Sequence, residues 1–200
     1  MNDYNDMITT GIPDFEFIRG DVPISKEEIR TIAIAKLRLG ADSTLLDIGA
    51  GTGSITVEAA RLLKRGRVHA VEMDEPALDL INRNIEKFKV ANVTVHRGAA
   101  PGALAGIAGF DRVFIGGSGG SLAGILEWVH DNIGPGGRIV VNAITLDTLH
   151  ASRQFFADRG YRDVEIIQVA ISKIGDAGGG ALMLRAQNPV FIISTRREER

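Results

Sequence analysis

Apolar residues in this chain fall into short blocks that alternate between two periods. Runs rich in Val, Ile, Leu and Phe, bounded by glycine, aspartate or proline, occur at Thr44–Ile48, 68–72, 93–96, 111–115 and 138–142. Near-continuous apolar runs of that length read as strands buried on both faces. Between them the apolar positions recur every three or four residues, as in Ile29, Ile32, Ala33 and Leu37, in Leu78, Ile81, Ile85 and Phe88, and in Leu122, Ile125, Leu126 and Val129. That period predicts amphipathic helices. One begins after Ser25, where Ser25-Lys-Glu-Glu28 has the form of a capping box. Others run from a glycine turn to about Lys64, after Asp74 with Pro76 in the first turn, after the glycines of 116–120, and over Leu146–Asp158. A short helix follows Pro101. Residues 1–22 look irregular, with Pro13 and Pro23 limiting regular structure. Two strand-like stretches, 164–171 and 181–194, close the pattern around a loop at 172–180, and 196–200 form a charged, solvated tail.

Strand and helix alternating almost throughout imply an α/β fold, a doubly wound and mostly parallel sheet covered on both faces. Two closing strands with no helix between them imply an antiparallel edge hairpin. No repeat or linker divides the 200 residues, so one domain is expected, with an N-terminal segment and helix over 1–40, a βα core over 41–160 and the closing hairpin over 161–195. Ligands of such sheets bind at the carboxyl ends of the strands. Asp47, Gly49, Glu72, Gly98, residues 116–120 and Asn142 all fall on that rim.

The turn after the first strand carries the most chemistry. Glycines at 49, 51 and 53 separate the strand from a helix whose free N–H groups and positive dipole end suit an anionic group. The second strand ends in Glu72, placed to accept hydrogen bonds from ribose hydroxyls. A dinucleotide fingerprint needs its third glycine at 54, where this chain has Ser54. With Asp47 two residues ahead of Gly49, the Asp-Ile-Gly-x-Gly-x-Gly pattern resembles motif I of the S-adenosylmethionine-dependent methyltransferases of Rossmann-like fold. A different nucleotide-type ligand stays open at this point.

Composition narrows the classes. The chain has no cysteine, which removes disulfides, thiolate zinc sites and cysteine nucleophiles. No His/Asp/Glu cluster has metal-ligand spacing, so no metal is expected. A net charge of −2 argues against nucleic acid as the partner. No apolar run is long enough to span a bilayer, and the acidic start is not a signal peptide, so a cytoplasmic location is the expectation. The segment Gly116-Gly-Ser-Gly-Gly120 also matches the Gly-x-Ser-x-Gly elbow of serine hydrolases, with Asp147 and His150 downstream. That reading would make Ser118 a nucleophile, but it leaves the first glycine turn and Glu72 without a role. His69 and His96 lie within strands, the first as a core-edge residue; His130 sits late in a helix, where a cation is favoured; His150 is a lone candidate to face the cleft; and Trp128 reads as a packing residue.

Further segments appear in a fixed order: Ile12-Pro-Asp-Phe-Glu-Phe-Ile-Arg19, Val22-Pro-Ile-Ser-Lys-Glu-Glu28, the glycine motif, Val113-Phe-Ile-Gly-Gly-Ser-Gly-Gly120, Val141-Asn-Ala-Ile-Thr-Leu-Asp-Thr148 and Asn188-Pro-Val-Phe-Ile192. Together they resemble the decarboxylating precorrin methyltransferases of cobalamin biosynthesis. The resemblance implies the seven-stranded class I methyltransferase fold and S-adenosylmethionine as cofactor. It implies methylation of carbon 15 of precorrin-6B or cobalt-precorrin-6B, with loss of carbon dioxide from the ring C acetate. It places the cofactor at Ser25, Asp47, Gly49, Ala50, Gly51, Thr52, Gly53, Glu72, Ala99 and Ala100, where Ala99 replaces the acid usual in the family. On the side of the tetrapyrrole substrate the candidates are Gly117, Ser118, Gly119, Asn142, Thr145 and Lys173, with Arg19 and Arg153 as further anchors for its carboxylates. A homotetramer is implied as well. Related methyltransferases acting on protein isoaspartate or transfer RNA are the alternatives.

Overall fold

The computed structural model describes residues 9–198. Five parallel strands form the core of the sheet: β1 (Thr44–Ile48), β2 (Arg67–Glu72), β3 (Val93–Arg97), β4 (Arg112–Ile115) and β5 (Arg138–Ala143). Helices α1 (Glu27–Leu37), α2 (Ser54–Leu62), α3 (Glu75–Lys87), α4 (Leu122–Asn132) and α5 (Leu146–Asp158) cover its two faces. Single-turn 3₁₀ helices occupy Asp14–Glu16 and Gly102–Leu104. Strands β6 (Glu165–Val169), β7 (Ser172–Gly178), β8 (Ala181–Ala186) and β9 (Val190–Arg196) follow α5.

The seven-stranded sheet runs β3-β2-β1-β4-β5-β9-β6, with β9 antiparallel to both neighbours. The order reverses between β1 and β4, and a crevice at the carboxyl ends follows from that switch. Leu46, Ile48, Val113, Ile115, Ile139 and Val141 pack with α4 and α5 on one face. Leu45, Val68, Phe114 and Val140 pack with α1 and α2 on the other. Both faces are covered, which is why these strands read as unbroken apolar runs rather than alternating ones.

The ends of the chain differ from the sequence reading in two places. The expected loop at 172–180 is mostly strand β7, and the expected strand over 181–194 divides into β8 and β9 around Gln187-Asn188-Pro189. Pro189 has no N–H to give a ladder, so pairing stops there. β7 and β8 form a separate two-stranded sheet, and the antiparallel edge pair is β6 with β9, joined through that ribbon rather than by a turn. The capping box before α1 does not form. Lys26 is the N-cap without a side-chain hydrogen bond, and Glu28 pairs instead with Lys173 at 2.6 Å. Burial pushes the Glu28 carboxyl up, but the Lys173 hydrogen bond and charge outweigh it and hold the group below its ordinary value. Asp74 does cap α3, accepting from the Ala77 N–H at 3.2 Å.

Candidate active site

The turn joining β1 to α2 is shaped by what lies against it. Gly49 has φ +71°, and a Cβ there would sit 2.4 Å from the Gly117 carbonyl oxygen. Gly53 has φ +76°, and its Cβ would meet Ile81 of α3 at 2.5 Å. Only glycine allows both the left-handed backbone and the close approach. The third glycine therefore serves contact between the turn and α3, while the first lets the β4–α4 loop lie directly on the main chain.

Glu72 ends β2 beside this turn. Its Oε2 accepts from the Gly51 N–H at 2.8 Å, and its Oε1 accepts from the Met73 and Asp74 N–H groups at 2.7 and 2.9 Å. The carboxylate is fixed in place with lone-pair capacity left for one more donor. Asp47 lies beneath the turn and is wholly buried. Its Oδ2 accepts from Thr56 Oγ1 at 2.5 Å, and Oδ1 has no partner. Burial, with a smaller push from the Glu72 charge, raises its pKa to about 7 against the opposing Thr56 hydrogen bond.

A cavity of about 720 Å³ opens over these groups, within the usual range of small-molecule sites, roughly 300–1,000 Å³. Its floor is Gly49, Ala50, Gly51, Thr52 and Ser54, with Glu72 to one side. Gly116, Gly117, Ser118 and Gly119 form a second wall, with Asn142 and Ile144 beside them. Asp21, Pro23 and Ser25 form a roof, and Gly98 and Ala100 close the β3 end. Asn142 Oδ1 is buried without a partner, an acceptor that calls for a donor from a ligand.

The sequence-derived residues separate into groups. Ser25, Gly49, Ala50, Gly51, Thr52, Glu72 and Ala100 line the cavity, as do Gly117, Ser118, Gly119 and Asn142. Asp47 and Gly53 stand behind the floor. Ala99 is exposed outside the lining, next to lining residues Gly98 and Ala100. Thr145 caps α5 by accepting from the Thr148 N–H at 3.2 Å, outside the cavity. Lys173 is held by Glu28, and Arg19 and Arg153 are exposed away from the lining. Among the lining residues Lys26 is the one cation, against Asp21, Glu72 and Asp74, so none of the basic side chains expected to anchor carboxylates, Arg19, Arg153 and Lys173, lines this cavity. Asp147 and His150 are exposed on α5 outside the cavity, so no triad assembles on Ser118. His69 and His96 meet at 3.0 Å across β2 and β3, away from the site. No helix of the described residues is long and apolar enough to cross a membrane, and no three potential metal ligands gather among them.

Several residues that build the site were not singled out from the sequence. Arg30 and Glu58, both buried, pair at 2.6 Å. Glu58 accepts from the Gly11 and Ile12 N–H groups at 2.9 and 3.0 Å, and Arg30 donates to the Ile12 and Ser25 carbonyls. Asn84 of α3 bonds Ile18 and Thr52. The available signal was a lone glutamate in the otherwise uncharged first turns of α2 and an arginine beside the apolar stripe of α1.

The sequence model of a family described as "Precorrin methyltransferase domain" matches residues 16–197. A probable cobalt-precorrin-6B C(15)-methyltransferase (decarboxylating) of Saccharolobus solfataricus is 42% identical over 191 residues, covering 94% of this chain and 96% of that protein. A protein of Salmonella typhimurium named as the same enzyme is 38% identical over 184 residues, covering 92% and 94%. The crystal structure of a precorrin-6y C5,15-methyltransferase from Geobacter metallireducens superposes with a TM-score of 0.88 at 40% identity, covering 94% of this chain and 98% of that one.

Proposed function

The chain belongs to the precorrin methyltransferase family, and on that premise we propose that it methylates carbon 15 of cobalt-precorrin-6B or precorrin-6B and decarboxylates the ring C acetate. Its fold is that of the class I methyltransferases. The observation that carries the proposal is the single cavity with two unlike walls. One wall is a main-chain cradle with a fixed carboxylate, suited to a nucleoside. The other is a bare glycine platform flanked by the exposed apolar side chains of Met73 and Ile144, suited to a flat macrocycle.

We assign S-adenosylmethionine to the first wall. When bound, it supplies an electrophilic methyl group with its own leaving group. Glu72 would accept one ribose hydroxyl through the remaining lone pair of Oε2, and Gly49, Ala50, Gly51 and Thr52 would hold the amino-acid tail, with Ser25 above it and Ala100 at the base. The remaining lone pair of Glu72 and the acidic lining of Asp21, Glu72 and Asp74 fit a ligand that brings donors and positive charge. Gly53 acts by packing and Ala99 by leaving the β3 end without a side-chain acceptor.

Gly117, Ser118, Gly119 and Asn142 would hold the tetrapyrrole. Alignment of the accepting carbon with the methyl group is their main contribution, and positioning of this kind is worth at most about 7–11 kcal/mol. Decarboxylation needs a dry environment for the departing carboxylate, and Met73, Ile144 and Val190 supply apolar surface there. Thr145 and Lys173 act through α5 and α1, the first as cap and the second as the partner of Glu28.

We further propose a homo-oligomer, a tetramer by likeness to the family, located in the cytoplasm, with no nucleic acid or membrane partner. The β7–β8 ribbon supports assembly: Ile174, Leu182 and Leu184 are 69%, 72% and 68% exposed, and an isolated two-stranded sheet is marginal in water. Incubation with labelled methyl donor and corrin precursors, followed by mass spectrometry, tests the activity. A product with one methyl gained and carbon dioxide lost is expected. Methyl transfer with the carboxylate retained, or none, refutes the assignment.

A further inference from the structure

We propose that residues 19–24 form a pinned roof over the donor half of the cavity, and that Asn84 is the positioning residue that sets its height above the glycine turn. This rests on the donor site proposed above and adds to it a residue outside the cavity lining.

Asn84 is fully buried in α3. Its Nδ2 donates to the Thr52 carbonyl at 2.9 Å and to the Ile18 carbonyl at 3.0 Å, and its Oδ1 accepts from the Ile18 N–H at 2.8 Å. Two carbonyls on one side and an N–H on the other fix which end of the amide is nitrogen. One side chain therefore ties the cavity floor, at Thr52, to the segment that becomes the roof, at Ile18. The far end of the roof is pinned at Ser25, whose carbonyl accepts from Arg30. Arg30 is itself locked by Glu58.

Between those pins, Asp21, Val22, Pro23 and Ile24 line the cavity. They rest on the turn: a Cβ at Gly51 would lie 3.5 Å from the Pro23 carbonyl oxygen and 3.9 Å from Val22 Cγ1. A ligand on the glycine floor is thus held from above by a short arch whose two feet are hydrogen-bonded to buried side chains. Replacing Asn84 by an apolar residue leaves three backbone groups without partners, and buried unpaired groups draw in water. The arch then lifts from the floor on the donor side, while the glycine platform at 116–119 is untouched.

The test is calorimetric titration of S-adenosylhomocysteine into the full chain and its Asn84→Ala variant, at a temperature well below either melting point. A tenfold or greater loss of affinity is expected, with a raised KM for the methyl donor and an unchanged KM for the corrin precursor. Phe156→Leu, a core change remote from the roof, serves as the control for lost stability alone and should bind as the wild type does. Asn84→Asp keeps the acceptor for Ile18 but turns an oxygen toward two carbonyls, so its affinity should improve as pH falls and the carboxyl gains a proton. Should Asn84→Ala not fold, hydrogen exchange of the wild type decides. Slow exchange at the Ile18 amide, slowed further by S-adenosylhomocysteine, supports the pin; an amide unmoved by ligand overturns it. If the wild type binds and Asn84→Ala binds equally well, only the roof is refuted. If the wild type itself gives no binding, the donor site falls and takes the roof with it.

Discussion

Beneath the glycine turn polar groups are buried, whereas on the β7–β8 ribbon apolar groups face outward, and the two departures from ordinary burial have opposite characters. Arg30, Glu58, Asn84 and Thr56 are sealed in, and nearly every polar atom among them is spent on backbone or on a neighbour. Such a network stabilises little relative to an apolar core, but it defines one arrangement of the walls. The ribbon has no such closure. Its apolar side chains face outward along a sheet of two strands, and its link to the rest of the molecule includes the half-exposed Lys173–Glu28 pair. The first region is complete in one chain; the second is where the proposed assembly would place a further copy.

Breaking the sealed region should have the largest effects. Gly49→Val places a branched side chain at φ +71° against the Gly117 backbone, and a loss of more than about 4 kcal/mol is expected in denaturant unfolding, together with loss of donor binding. Glu58→Ala takes from the buried Arg30 one of its two carboxylate partners, Asp14 at 3.1 Å remaining, and leaves two backbone N–H groups unpaired. A cost of about 3–5 kcal/mol is expected by the same measurement.

Asp47 gives a pH signature instead. Its folded pKa, about 7, lies above its ordinary value, so the native state holds this proton more tightly than the unfolded chain. Stability from this group is present at low pH and is lost as pH rises from about 4 to 7, by of the order of 4 kcal/mol. Asp47→Asn should flatten that part of the stability–pH curve, and parallel curves for the two proteins would remove the buried charge from the account.

On the ribbon the expected changes are in assembly. Leu182→Glu with Leu184→Glu should shift sedimentation toward the single chain while leaving the far-ultraviolet circular dichroism unchanged. An unaltered assembly would separate the ribbon from self-association. Smallest of all, Lys173→Ala removes a half-exposed ion pair and should cost under about 1 kcal/mol, an effect erased by high salt.

The contrast also marks what the sequence made legible. The five parallel strands and their helices were readable because each is announced by its own period and by a nearby turn residue, as at Asp74 or the glycines of 49–53. The ribbon was not, because Ile174 stands alone between polar residues and glycine, and Leu182 to Leu184 look like the start of a core strand. Only pairing reveals that Pro189 ends one ladder before β9 begins another. In the site, Gly49, Glu72 and Asn142 follow from their places at strand ends. Asn84, Glu58 and Arg30 do not, since the bonds Arg30–Glu58, Glu58–Ile12 and Asn84–Ile18 span 28, 46 and 66 residues, and no local pattern encodes such a distance.

Strand β9 is the last of the nine to be synthesised, yet it sits inside the sheet between β5 and β6. A nascent chain that has delivered everything through β8 still carries two open edges, one of them the Ile139 to Val141 run. Such edges invite pairing with other chains. A chain that starts to fold before β9 is available would keep the β5 edge open until β9 docks, and slow supply of that strand would be felt as aggregation rather than as a defect in chemistry.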